Sequence, residues 1–182
     1  MTTDTLIQDL GRCPYFRGIP TELLHALSMH AVEQRVNPGE VLATRLDAAG
    51  AVWIVAEGRV EVRRPQGFQG QRIDVTVSIL KPGMFFGHVE LLAEQHRTAT
   101  LVSAAPGRLV RFDRKAFERL VGDPGLAGQA FRRAIILALG NQLRAVNTRL
   151  GEFLADPTGE AATRREALRK AIETAGHTHE EG

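Results

Sequence analysis

The chain has 182 residues, which is enough for one well-cored domain with an appendage and too few for two full domains. Hydrophobic residues make up 43% of the chain and charged residues 24%, as in ordinary globular proteins. The formal net charge is only +2 and no dense block of Lys and Arg occurs, so the composition argues against a nucleic-acid-binding protein.

Other classes are also disfavoured. Cys13 is the only cysteine, so no internal disulfide forms, and we expect a small buried residue rather than a nucleophile. The N-terminus lacks the features of a secretion signal, and no apolar run approaches the roughly 18 residues of a membrane span, so we expect a cytoplasmic protein that binds no membrane. No catalytic-triad, P-loop or H-E-x-x-H pattern occurs, so the sequence predicts neither an enzyme nor a required cofactor or metal.

Helices come first along the chain, and short strands follow. Helical periodicity covers residues 4–10 and 20–34, and the pattern changes at Val36. Turns containing Gly or Pro then divide short strands, at 38–39, 57–58, 81–83 and 106–107. Residues 64–71 are predicted as a loop, and the apolar residues of the next strand, from Ile73 to Ile79, are predicted to share one face. Strands at this spacing indicate a sandwich or barrel.

Helical patterning returns at Asp113 and continues from Leu126 to about Leu154. Apolar residues in the long helix are spaced 3-4-3-4-3: Ile136, Leu139, Leu143, Val146, Leu150 and Phe153. Such a seam predicts pairing with a second copy, a homodimer, whereas the alternative is packing on the chain's own β-domain. Three regions are therefore predicted: 1–125, the long helix 126–155, and a charged, partly disordered tail 156–182, in which His177 and His179 are expected to be solvated.

Residues 86–100 read FGHVELLAEQHRTAT and carry the pattern with the clearest chemistry. A glycine at 87 lets a ligand approach the backbone closely, and a short helix after it points free N–H groups toward the same space. Arg97 adds a planar set of donors suited to two phosphate oxygens, and Thr98 adds a hydroxyl. These residues predict a cradle for a small anion.

The order of motifs around this stretch resembles the cyclic-nucleotide-binding domain family, which includes catabolite-activator-like regulators and the regulatory domains of cyclic-nucleotide-dependent kinases and channels. The matching segments, over about residues 10–153, are PYFRGIP-TELLHAL, NPGEVL, VWIVAEGRVEV, LKPGMFFG, RTAT and FDRKAFERL. The resemblance implies an α+β fold: an antiparallel, jelly-roll-like β-roll with N-terminal helices and a long C-terminal helix. It also implies that residues 86–100 form the phosphate-binding cassette.

The resemblance further implies what individual residues do. Gly87 and the amides after it would face the cyclic phosphate, Arg97 would pair with its charged oxygens, and Thr98 would bond to phosphate or base. The ligand-binding set predicted in this way is Phe86, Gly87, His88, Val89, Glu90, Arg97 and Thr98. The run RTAT looks like the cassette end of cGMP-responsive members, but one hydroxyl is compatible with cAMP and cGMP alike.

His88 departs from the family pattern. Members that bind cyclic nucleotides usually carry Glu there, which accepts a hydrogen bond from the ribose 2′-hydroxyl; a neutral imidazole accepts one bond and has no charge. Glu90 cannot take over this contact, but it or Glu94 can neutralise Arg97 and leave the cassette closed. Three states of the site therefore compete: binding of cAMP or cGMP with an altered ribose contact, binding of another anion, or no ligand.

Transcription factors of this family continue into a helix-turn-helix module, and the roughly thirty residues after the long helix show no such pattern. We therefore expect a stand-alone, non-enzymatic sensor that binds a cyclic nucleotide and signals through its C-terminal helix to a protein partner. The alternative is a ligand-free domain of the same fold that acts as an interaction or scaffold module.

Overall fold

The computed structural model of the protein describes residues 3–68 and 71–155. The chain begins with helix α1 (Thr3–Arg12), a 3-10 turn (Pro14–Phe16) and helix α2 (Thr21–Ser28). The strands found in the described residues are β1 (Val32–Val36), β2 (Val41–Ala43), β3 (Ala51–Glu57), β4 (Val60–Phe68), β5 (Gln71–Leu80), β6 (Phe85–Phe86), β7 (Thr100–Ser103) and β8 (Gly107–Asp113). Helix α3 (His88–Leu92) follows β6, and α4 (Arg114–Gly122) and α5 (Leu126–Ala155) follow β8.

The strands form two four-stranded antiparallel sheets, with the orders β1-β8-β3-β6 and β2-β7-β4-β5. Neighbours such as β1 and β8 are far apart in sequence, so the chain rolls up instead of forming successive hairpins. Apolar side chains of both sheets meet in one core, which includes Val55, Val60, Leu101 and Leu109. The predicted α+β fold, an antiparallel β-roll with N-terminal helices and a long C-terminal helix, is confirmed.

A second core joins the helices to the first sheet, and its centre is a group of phenylalanine rings. Phe131 at the start of α5 is fully buried, with its ring centroid 5.2 Å from Phe112, 5.8 Å from Phe117 and 6.1 Å from Phe85. Aromatic pairs at such distances add to the stabilisation from apolar burial. Because Phe85 lies in β6, this core connects the start of α5 to the strand that leads into the predicted cassette.

Two sequence-based boundaries were wrong. The helix predicted over 20–34 ends at Ser28, whose hydroxyl donates to the carbonyl of His25, and residues from Val32 onward pair with β8. Residues 64–68 and 71, predicted as loop, belong to the β4–β5 hairpin. Pro65 lies beyond Arg63, the last residue of β4 that pairs with β7, so it belongs to a part of β4 that pairs with β5 alone, and proline is found on such edges.

Strand β5 also does not present all its apolar residues on one face. Its register against β4 shifts where Val62 and Arg63 meet Ser78 and Thr76, so β5 carries an extra residue, Val77. Ile79 is paired with Glu61, whereas Val75 is paired with Arg64. Since residues 61 and 64 are three apart on a strand, the pairing puts Ile79 and Val75 on opposite faces. The bulge, which the alternating pattern did not reveal, is the reason.

The chain divides into two compact units between Leu139 and Gly140. The first contains the β-roll with α1 to α4 and the first part of α5, and in the second the described residues 140–155 continue α5. Leu139 packs against the helical core, whereas the other seam residues with described side chains are exposed: Ile136, Leu143, Val146 and Leu150. The side chain of Phe153 and the predicted tail, with His177 and His179, lie outside the described residues. Within the described ranges, no helix is both long and apolar enough to cross a membrane.

Candidate ligand-binding site

Strand β6 leads directly into the predicted cassette. Phe86 pairs with Trp53 of β3, and the two rings stack with centroids 5.3 Å apart. Gly87 follows with φ +81°, a left-handed conformation that favours glycine, and α3 begins immediately after it. A Cβ on Gly87 would lie 2.8 Å from Nη1 of Arg97 and 3.0 Å from the carbonyl oxygen of Ala51. The glycine is required here because the arginine side chain passes directly against it.

The guanidinium of Arg97 is enclosed by backbone and aromatic groups and is only 2% exposed. Its Nη1 donates to the carbonyl oxygen of Gly87 at 2.9 Å, and its Nη2 donates to the carbonyl oxygen of Ala51. Its Cζ lies 5.1 Å from the ring centroid of Trp53, a cation–π contact. The Nε atom is buried and has no hydrogen-bond partner. Two carbonyls therefore hold Arg97 in place, while one donor stays unsatisfied.

Glu90 on α3 supplies the negative charge beside Arg97. Its Oε2 lies 3.6 Å from Nη1 of Arg97, and its Oε1 accepts a hydrogen bond from Oγ1 of Thr98 at 3.0 Å. Burial lowers the pKa of Arg97, and the Glu90 charge acts in the opposite direction. Of the two carboxylates that the sequence offered for this role, Glu90 takes it and Glu94 is exposed.

His88, the residue that departs from the family pattern, is buried at 1% exposure. Its ring meets that of Phe85 in an edge-to-face arrangement with centroids 5.2 Å apart. Neither Nδ1 nor Nε2 has a hydrogen-bond partner. Desolvation by burial lowers the pKa of His88 to about 4, although Glu90 opposes this shift, so the imidazole is neutral at pH 7. A neutral ring offers one donor and one acceptor, and both are unsatisfied.

Sequence reasoning missed Arg64 of β4. Its Nη2 donates to Oγ1 of Thr98 at 3.3 Å, so a second guanidinium lies at the end of the cassette. The residue was assigned to a loop and therefore was not considered as part of the site. The alternation of Val60, Val62 and Arg64 was the signal that could have found it, since these residues project from one face of a continuous strand.

The structure connects four of the predicted residues through successive contacts, from Gly87 to Arg97, from Arg97 to Glu90 and from Glu90 to Thr98. Phe86 and His88 are buried beside them. Val89, by contrast, is 40% exposed and can contribute only its backbone amide. The cluster joins α3, β3 and β4, and it combines two guanidinium groups, a carboxylate, a hydroxyl and an unpaired neutral imidazole. Such a set can bind an anion with attached hydroxyl groups once the carboxylate moves aside.

The chain is similar to proteins of several kinds. An acetyltransferase, Pat, from Mycolicibacterium smegmatis is 30% identical over 132 residues, which are 72% of this chain and 38% of that protein. A cAMP-dependent protein kinase regulatory subunit from Dictyostelium discoideum is 33% identical over 84 residues, 46% of this chain and 26% of that protein. The chain thus spans well under half the length of either relative.

Among solved structures, a cyclic nucleotide-binding domain from Methylobacillus flagellatus has a similar fold, with a TM-score of 0.70, 16% identity and 86% of each chain covered. The family model described as cyclic nucleotide-binding domain matches residues 33–123, which include β1 from its second residue, β2 to β8, α3 and α4. Domains of this kind are regulatory. By this match, and by the β-roll with its cassette, the chain belongs to the cyclic nucleotide-binding domain family.

Proposed function

We propose that this chain is a non-enzymatic regulatory sensor that binds cAMP or cGMP at the 86–100 cassette and signals through α5 to a partner. The observation that carries the proposal is the set of buried polar groups without partners: Nε of Arg97 and both ring nitrogens of His88. Leaving such groups unsatisfied costs about 1–3 kcal/mol each, and a polar ligand would recover part of that cost. Family membership supports a cyclic nucleotide as this ligand.

The ligand contacts follow from the site. The cyclic phosphate would take the place of the Glu90 carboxylate at Nη1 of Arg97, and the neutral ring of His88 would form one hydrogen bond with a ribose hydroxyl. The Thr98 hydroxyl serves phosphate or base, so it accommodates either nucleotide. Because His88 lacks the negative charge of a glutamate, we expect weaker binding than in members that carry Glu, by about ten- to a hundredfold.

A path for signalling runs through aromatic contacts. His88 meets Phe85 edge-on, and Phe85 in turn contacts Phe131 of α5. A ligand that binds one arrangement of α3 more tightly than another increases the population of the tightly binding arrangement. The size of this shift is limited by the difference between the ligand's affinities for the two arrangements. The buried ring of Phe131 then responds to that shift. We propose that the exposed residues of α5 pass the change to a second copy or to another protein.

Isothermal titration calorimetry with cAMP and cGMP tests the sensor proposal. The full chain is expected to bind at least one of them at micromolar to sub-millimolar concentration, and Arg97→Ala is expected to abolish binding because it removes the buried cation. Lys81→Ala, which removes a positive charge from an exposed turn after β5, is the matched control and is expected to bind like the original protein. If neither nucleotide gives a heat of binding up to millimolar concentration, the proposed sensor function is contradicted.

The second candidate is a ligand-free interaction or scaffold domain. The ion pair between Glu90 and Arg97 favours it, because an internal carboxylate already lies next to the cation that a phosphate would need. Thermal melts separate the two functions. A ligand present at a hundred times its dissociation constant stabilises the folded state by about 2.7 kcal/mol, whereas a scaffold domain melts at the same temperature with and without nucleotide.

A further inference from the structure

We propose that Glu90 is the residue that sets which ligands the cassette admits: its carboxylate occupies the phosphate position, and a ligand binds only by displacing it. This inference rests on the proposed function, because the displaced carboxylate matters only if an anion enters. It goes further in naming a residue of this chain that competes with the ligand.

The contacts of Glu90 are those expected of a bound anion. One carboxylate oxygen lies 3.6 Å from Nη1 of Arg97, and the other accepts from the Thr98 hydroxyl at 3.0 Å. Arg97 and Thr98 are the two side chains that the cassette pattern assigns to phosphate. A carboxylate and a phosphodiester each present two oxygens with one negative charge, so both suit the same pair of donors. Simultaneous occupancy would place two negative charges next to each other.

The carboxylate sits at the edge of the site and has a route out. The Glu90 side chain is 15% exposed, compared with 2% for Arg97, so the anion can leave while the cation remains fixed by two backbone carbonyls. Thr98 links the departing group to Arg64, whose Nη2 donates to the same hydroxyl at 3.3 Å. Arg64 is therefore the positive charge toward which Glu90 can turn when phosphate replaces it at Arg97.

The need to displace Glu90 makes ligand binding weaker than Arg97 and Thr98 alone would allow. Breaking the contacts of Glu90 opposes the gain from the phosphate, so the net affinity reflects a difference between two similar anions. A ligand that bears no negative charge does not need the exchange. Glu90 thus discriminates against weak anionic ligands, and its removal should benefit anionic ligands specifically.

Substitution of Glu90 by its neutral isostere tests the proposal. We expect Glu90→Gln to tighten the binding of cAMP or cGMP by about ten- to a hundredfold in isothermal titration calorimetry, since it removes a competing charge. Without nucleotide the same variant should melt at a lower temperature, because Arg97 loses its buried counter-charge. A merely structural role would lower the melting temperature without tightening binding. Adenosine and guanosine, which lack the phosphate, should show no comparable gain.

Glu94→Gln is the matched control, since it removes the same charge from an exposed position of the same segment, and its affinity should equal that of the original protein. Glu90→Asp retains the charge but shortens the side chain, so it covers the case in which Glu90→Gln does not fold; it too should tighten binding.

Unchanged or weaker binding by folded Glu90 variants, with binding abolished in Arg97→Ala, would overturn the inference and leave the sensor function standing. If Glu90→Gln binds nucleotide and the original protein does not, the inference is supported and the proposal that the original chain is a sensor is contradicted. No binding by any of these proteins would overturn both.

Discussion

His88 is a histidine kept neutral by its surroundings, and this gives the protein a specific dependence on pH. In the folded protein its pKa is about 4, compared with 6.5 for a solvated imidazole. Between these two pH values the unfolded chain binds a proton at this residue and the folded chain does not. Acidification through this window therefore favours unfolding, and stability that is present above pH 6.5 is lost as the pH falls toward 4.

We expect this residue to account for a loss of about 3 kcal/mol in the free energy of unfolding between pH 6.5 and pH 4. Urea denaturation at a series of pH values measures it. His88→Gln, which does not titrate, should flatten the dependence in this window. The control is His96→Gln, because His96 is an exposed histidine of the same cassette. Equal slopes for His88→Gln and the original protein would contradict the assignment.

Sequence reasoning found several residues of the site and missed others for identifiable reasons. Gly87, Arg97 and Thr98 stand out because their residue types and spacing match one task, and the structure places them together. The sequence could not predict that the carbonyls of Ala51 and Gly87 hold Arg97, because every residue type has the same backbone carbonyl. Arg64 was missed because the Gly- and Gln-rich segment 64–71 suggested a loop.

At the scale of elements, the turn between β6 and α3 is the most constrained. Gly87 and Gly39 have nearly the same backbone conformation, with φ of +81° and +82°, but only Gly87 is crowded by Arg97, Ala51 and Trp53. A Cβ on Gly39 meets nothing within 4 Å. The two glycines therefore separate the cost of the left-handed conformation from the cost of crowding.

We expect Gly39→Ala to lower the free energy of unfolding by about 1 kcal/mol, which is the conformational cost alone. Gly87→Ala should lower it by about 2–4 kcal/mol, because the new Cβ also displaces the guanidinium or the Ala51 carbonyl. Chemical denaturation of the two variants beside the original protein gives both numbers. Equal losses would mean that Arg97 does not pack against Gly87 in solution.

The elements themselves were largely predictable, because periodicity and turn residues act locally. Asp113, for example, caps α4 by accepting a hydrogen bond from the amide of Ala116 at 2.8 Å, and the helix was expected from that residue onward. The bulge at Val77 was not predictable, since it depends on pairing with a strand whose register the alternation alone does not determine.

At the scale of the whole molecule, the stripe on α5 supports the proposed homodimer. The side chains of Leu143 and Val146 are 62% and 52% exposed, which is unusual for a row of large apolar residues at coiled-coil spacing. Among the stripe residues with described side chains, Leu139 is the one that packs on the helical core, and Ile136 before it is exposed. The sequence could not divide the stripe in this way, because the spacing is the same throughout.

We expect Leu143→Glu to convert a dimer into a monomer, because it places a charge in the centre of the paired stripe. Size-exclusion chromatography with light scattering measures the change. Ala145→Glu, on the opposite side of the helix, should leave the dimer intact, and neither change should unfold the chain because both positions are exposed. A monomeric original protein at micromolar concentration would exclude this interface.

Trp53 is the only tryptophan in the chain, and its ring contacts both the guanidinium of Arg97 and the ring of Phe86. Its indole N–H donates to the side-chain oxygen of Gln34 at 3.0 Å, which fixes the ring's orientation. The protein therefore contains a natural fluorophore in contact with its buried cation. Any rearrangement of that cation should change the colour and intensity of the emitted light, so the state of the cassette can be followed in real time without attaching a dye.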